Sequence, residues 1–118
     1  MAPVDLETRT TEFALRIIKL FAALPKTTEA QVLGKQLLRC GTSVGAHYRE
    51  AKRAKSTHDF VSKIEGALQE LDETCYWLEL IEKSGIMSAR RLASQTEAVE
   101  LTKILVTVVK RAKDKMKK

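Results

Sequence analysis

The chain has 118 residues, of which 44% are hydrophobic and 31% charged, with a formal net charge of +6 and a pI near 9.5. This length can bury one core without staples, and the composition excludes a disordered chain, while the basic charge favours anionic partners. Two prolines and five glycines argue against a turn-rich β fold and permit long helices.

A first helix is predicted over about 5–24. Asp5 stands as its N-cap, with Glu7 in the first turn, where the helix dipole favours acid. Phe13, Ile17, Leu20 and Leu24 recur at helical spacing, and Ala14, Ile18 and Phe21 widen the stripe. Pro25 ends the helix.

A second helix is predicted over about 28–55, opened by Thr28 with Gln31 placed as in a capping box. Leu33, Leu37, Cys40, Val44, His47, Ala51 and Ala54 repeat every four and three residues. They form a heptad-like seam of about 22 residues, roughly 33 Å long. Gly41 and Gly45 lie within it, each costing about 1 kcal/mol against alanine. Close approach of a neighbouring helix is the simplest compensation. A break at Gly41 is the alternative, and the unbroken phase of the seam favours a single helix, kinked or straight.

A third helix is predicted over about 57–84, capped by Ser56 with Asp59 in its first turn. Phe60, Ile64, Ala67, Leu71, Thr74, Leu78 and Ile81 form its main stripe, flanked by Val61, Leu68 and Cys75. Gly85 is placed to end it as a left-handed cap. A fourth helix is predicted over about 89–115, capped by Ser88, with Met87 and Leu92 spaced as a hydrophobic staple. Ala98, Leu101, Leu105, Val108 and Ala112 make one stripe. Val99, Val106 and Val109 make another, with Ile104 between them. This is more apolar circumference than one core needs. An intermolecular interface and a central position in the monomer both account for it. Four amphipathic helices joined by short turns imply an all-α, antiparallel up-down-up-down four-helix bundle, one domain over 1–118.

The residues give little sign of catalysis. No Glu-x-x-His pair is present for a di-iron site, since His47-Tyr48-Arg49-Glu50 runs in the reverse order, and His58 stands apart beside Asp59. Cys40 and Cys75 make neither a disulfide framework nor a Cys-x-x-Cys metal site. Cys40 and His47 are separated by about 10 Å along one helix, too far for a nucleophile–base pair. No glycine-rich phosphate loop occurs. No enzyme activity, metal or cofactor is therefore expected. His47 reads as a core histidine bonded to a facing carboxylate, with Glu70 and Glu73 as candidates. Gly41 and Gly45 read as close helix packing. Neither a signal pattern nor a run of about 18 apolar residues is present, so a cytoplasmic protein with no membrane contact is expected.

The strongest functional pointer is basic. Arg39, Arg49, Lys52, Arg53 and Lys55 line the second helix, and Lys110, Arg111, Lys113, Lys115, Lys117 and Lys118 end the fourth. An up-down bundle puts the ends of these two helices at the same end of the molecule. The two groups then form one candidate patch for RNA or DNA phosphates, or else an ordinary solvated basic face. The aromatics available for base stacking are few, and Tyr48, Tyr76 and Trp77 all sit in helices.

A family resemblance joins these observations. It is carried by Phe13-Ala14-Leu15, Leu24-Pro25, the run from Gln36 to Ala46 with its Arg39-Cys40-Gly41-Thr42-Ser43-Val44-Gly45-Ala46 core, Glu50-Ala51, Ser56, Asp59-Phe60, and Glu73 to Leu78. The sequence resembles the four-helix-bundle family of bacterial proteins encoded in intervening sequences of large-subunit ribosomal RNA genes. It is also similar to the accessory variability proteins of diversity-generating retroelements. The resemblance implies a bundle that assembles as a homopentamer with a basic surface and no enzymatic activity. For the retroelement relatives it implies binding to nucleic acid and to a reverse transcriptase. Cys40 and His47 depart from the family pattern, which more usually has serine and asparagine there. Two functions are thus expected to compete: an oligomeric binding module for RNA or DNA, and a protein-interaction scaffold such as a reverse-transcriptase accessory protein.

Overall fold

The first three helices begin where the local chemistry satisfies their first free N–H groups. In the computed structural model, which describes residues 5–88 and 94–117, α1 runs Leu6–Ala23. The Asp5 carboxylate accepts the Thr8 N–H at 3.1 Å and the Thr8 hydroxyl at 2.7 Å. These bonds hold the Asp5 carboxyl below its usual range. Leu6, Thr10, Phe13, Ile17 and Leu20 are buried. Ile18, expected to widen the stripe, points instead to solvent at 45% exposure, as does Leu15 at 53%.

The second helix, α2, runs Thr28–Lys52 without interruption through Gly41 and Gly45. Its cap is Thr27, one residue earlier than the expected Thr28, and the Thr27 hydroxyl accepts the Ala30 N–H at 3.4 Å. Gln31 closes no capping box. Its side-chain amide reaches back to the Pro25 carbonyl at 2.8 Å. The chain leaving Pro25 holds Thr27 in an extended conformation, so the hydroxyl of residue 27 meets the free donors first. The helix stops at Lys52 rather than 55, because the N–H groups of Arg53 and Ala54 turn onto the Glu50 and Ala51 carbonyls and Ser56 then caps the next helix.

The third helix, α3, runs Thr57–Lys83, with the Ser56 hydroxyl accepting the Asp59 N–H at 3.0 Å. It ends where Gly85 takes a φ of +80°, a conformation that costs glycine little. The fourth, α4, is described over Ser94–Met116. The expected start at 89 and the Leu92 half of the staple lie outside the described residues.

The bundle is up-down-up-down, about 52 × 29 × 21 Å. Its core centres on Phe13, Ile17, Leu37, Ile64, Leu71, Leu78, Ile81, Leu101 and Leu105, all fully buried. Each such side chain contributes on the order of 1.5–3 kcal/mol. The most extensive packing is α2 on α3, followed by α1 on α2 and α3 on α4, and α1 barely meets α4. The edge position of α4 removes the reading in which its broad apolar surface marks a central helix.

Steric absence closes the α1–α2 seam. A Cβ on Gly34 would lie 2.6 Å from Leu24 Cδ1, and one on Gly41 would lie 2.8 Å from Ile17 Cγ1. One on Gly45 would lie 3.2 Å from Thr10 Oγ1 and 3.7 Å from the Thr10 carbonyl carbon. Close packing was the expected role of Gly41 and Gly45. Gly34 shares it, one heptad before Gly41.

Candidate functional site

The last turn of α2, the 53–56 turn and the last turns of α4 meet at one end of the bundle. Arg49 and Lys52 close α2, where cations favour the helix dipole. The short turn then reverses the chain, and the Lys55 N–H is held by Asp59 Oδ2 at 3.3 Å. Val108, Arg111, Ala112 and Lys115 of α4 come alongside. The result is a groove of about 620 Å³. Ala51, Ala54, Phe60, Val108 and Ala112 form its apolar surface, and Lys52, Lys55, Arg111 and Lys115 contribute the cations, with Ser56 and Thr57 at the start of α3.

Four of the eleven candidate basic residues, Lys52, Lys55, Arg111 and Lys115, therefore share one groove, and Lys118 lies outside the described residues. Lys52 is held by Glu7 of α1 at 3.1 Å. Lys55, Arg111 and Lys115 have no carboxylate partner among the described residues. Arg49, Arg53 and Lys110 are exposed outside the groove, and Arg49 donates to the Thr11 hydroxyl at 3.2 Å. Lys113 turns to α3 and pairs with Glu65 at 3.1 Å. Arg39 is not brought to this end at all. It lies about 20 Å from Lys52 along α2, paired with Glu73 at 2.8 Å and Glu70 at 3.4 Å.

That pairing overturns the expected partners of His47. Glu70 and Glu73 go to Arg39, and the buried His47 Nδ1 has no hydrogen-bond partner among the described residues. The His47 ring lies instead over Gly66 of α3, where a Cβ would come within 3.0 Å of Nδ1. The room Gly66 leaves lets an imidazole occupy the seam. Cys40 behaves as a small core residue, with burial raising its thiol pKa, and its sulfur accepts the Thr74 hydroxyl at 3.2 Å.

Elsewhere the surface offers little chemistry. Among the described residues no group of three or more His, Cys, Asp or Glu side chains could hold a metal ion, and no helix is long and apolar enough to cross a membrane. The Tyr76 and Trp77 rings of α3 meet at a tilt, with centroids 5.2 Å apart and planes at 59°, and neither lines the groove. The groove's own aromatic is Phe60, which the sequence pattern assigns to the core stripe. Its position one turn into α3 was the available signal, because a core stripe that reaches the end of a bundle opens to solvent there.

Comparison with known proteins agrees with this architecture. The family model described as 23S rRNA-intervening sequence protein matches residues 4–107. A crystal structure of a protein of unknown function from the S23 ribosomal protein family of Bacteroides thetaiotaomicron superposes with a TM-score of 0.83 at 37% identity, covering 88% of this chain and 97% of that one. No functionally curated protein matches the chain.

Proposed function

Because the chain belongs to the 23S rRNA-intervening sequence protein family, we propose that it is a non-enzymatic, homo-oligomeric module that holds RNA or DNA by the phosphate backbone. The observation that carries this reading is the convergence of Lys52, Lys55, Arg111 and Lys115 on one groove from two helices and a turn. Surface ion pairs such as Lys52–Glu7 are worth about 0–1 kcal/mol, so a phosphate competes readily for Lys52. Four phosphate contacts give a slope of about −3 in log affinity against log salt.

The test is a salt titration of binding to ribosomal RNA fragments. The double variant Lys55→Glu/Arg111→Glu keeps its helical circular dichroism, weakens binding and lowers the salt slope by about 2. No binding at low salt ends the proposal.

Self-assembly is supported by α4, where Val99 and Val106 stay 47% and 51% exposed on the edge of the bundle. The pentamer implied by the family resemblance would present several grooves at once and raise avidity without a new contact. Light scattering tests the assembly. The same exposed valines favour a second reading, a protein-interaction scaffold, which predicts a partner that stays bound after nuclease treatment.

A further inference from the structure

We infer that the groove between the 53–56 turn and α4 receives an unpaired nucleotide, with its base against Phe60 and its flanking phosphates on Lys55, Arg111 and Lys115. The inference rests on the nucleic-acid reading above and specifies what the nucleic acid must present. A patch that gripped a duplex would need only cations, because a duplex turns its phosphates outward and keeps its bases stacked. This site places three cations with no carboxylate partner among the described residues around an apolar surface that includes an aromatic ring. A single strand offers both halves of that complement, an apolar π-face and adjacent phosphates.

The dimensions agree. The groove volume of about 620 Å³ falls within the range of small-ligand sites. Ala54 is the half-exposed lining residue, so a larger side chain there would narrow the groove, while the buried Ala51 and Ala112 border it from the core. The groove also opens at the first turn of α3, beside Thr57, where the positive end of a helix dipole favours phosphate. Asp59 is the carboxylate of that turn, and one of its oxygens is engaged by the Lys55 N–H.

The other occupant with matching charge is an acidic amphipathic helix. Such a helix needs walls that run alongside it for several turns to seat anchors at i, i+3, i+4 and i+7. One wall here is α4, but the other reverses direction at residues 53–56. That geometry suits a compact planar group better than a rod.

Fluorescence anisotropy with the full chain tests the inference. Three probes of about twelve nucleotides each are compared: oligothymidylate, an abasic deoxyribose-phosphate strand of equal length, and the dA·dT duplex. Oligothymidylate is expected to bind about tenfold tighter than the abasic strand, as stacking of one base implies. Phe60→Leu keeps an apolar side chain and removes the ring, and it should bring the two strands to within about twofold. Ala54→Leu fills the groove from a half-exposed position and should do the same, so a folding defect in one variant leaves the other decisive. Equal binding of all three probes overturns the inference and leaves the phosphate reading standing. A base preference that survives both variants also overturns it. Failure of every probe at low salt removes the nucleic-acid reading itself. An acidic amphipathic peptide that is displaced by Ala54→Leu, while oligothymidylate binding is unchanged, assigns the groove to protein and overturns the inference.

Discussion

The α1–α2 seam and the exposed flank of α4 are built by opposite means. Along α1–α2 the helices close because Gly34, Gly41 and Gly45 carry no side chain where Phe21, Leu24, Ile17 and Thr10 press in. Along α4 the apolar surface exceeds what the bundle covers, and Val99 and Val106 face outward. Between α1 and α4 the described contact includes a bidentate pair in which Arg9 Nε and Nη2 donate to Glu97 at 2.8 and 2.9 Å. The first region leaves little latitude in side-chain volume, least at Gly41 and more at Gly45. The second leaves surface for something beyond the monomer.

The largest expected effect probes the closed seam. Gly41→Val adds three carbons where a single Cβ already lies 2.8 Å from Ile17. Overpacking of this kind costs about 3 kcal/mol or more. Gly45→Ala should differ sharply, because its Cβ meets the Thr10 hydroxyl at 3.2 Å and alanine regains about 1 kcal/mol of helix propensity. Thr10 is not free to swing away, since its hydroxyl donates to the Leu6 carbonyl at 2.7 Å, so the two terms nearly offset. Urea unfolding measures both variants. If Gly41→Val is tolerated as well as Gly45→Ala, the contrast between closed and open regions breaks.

A middle-sized effect probes the polar link. The hydrogen bond from Arg9 holds the Glu97 carboxyl below its ordinary value, against the opposing effect of burial. With 19% of the Glu97 side chain and 32% of Arg9 exposed, the pair is sheltered enough to matter. An acid with a depressed folded-state pKa contributes stability that is fully present above its unfolded pKa and is lost as pH falls through the folded one. Glu97→Gln should therefore cost about 1–2 kcal/mol near neutral pH. It should also flatten the fall in stability below about pH 5. Urea midpoints measured across that range for both proteins check the sign. A parallel acid slope in the two would assign the loss to other carboxylates.

The same contrast explains what could be read from the chain alone. The stripes through Phe13, Ile17, Leu37, Ile64, Leu71, Leu101 and Leu105 repeat at helical period, and burial follows period closely. Gly41 and Gly45 were legible as packing residues because they sat inside an unbroken seam. Gly34 was not singled out, though it too faces α1. The partners of charged residues were the least legible. Arg39 lies on α2, yet it crosses to Glu70 and Glu73, while His47 lies over Gly66 rather than against the carboxylate its position suggested. The groove was legible in its cations, since both basic runs end at one pole of an up-down bundle. Its apolar surface was not, because Phe60, Val108 and Ala112 obey the core pattern: Ala112 is buried in the core, and Phe60 and Val108 are partly buried against it where the bundle ends.

The smallest expected effect on the monomer tests the open flank. Val106 lies beside Thr102 on α4 and faces Glu65, Leu68 and Asp72 of α3 across a shallow recess. Val106→Lys adds a cation beside two acids; Lys113 already pairs with Glu65, and Asp72 is left to balance the new charge. A half-exposed valine that packs on nothing outside the monomer can be replaced for about 0.5 kcal/mol or less. If the valine stripe is an interface between copies, the same change buries a charge in each contact and the assembly fails. Light scattering of Val99→Lys/Val106→Lys should then show a lower mass, while the helical signal is retained and the unfolding midpoint becomes insensitive to protein concentration. An unchanged mass with unchanged stability would mean that this flank holds no copy of the chain, and would shift the weight of assembly to Leu15 and Ile18 on α1.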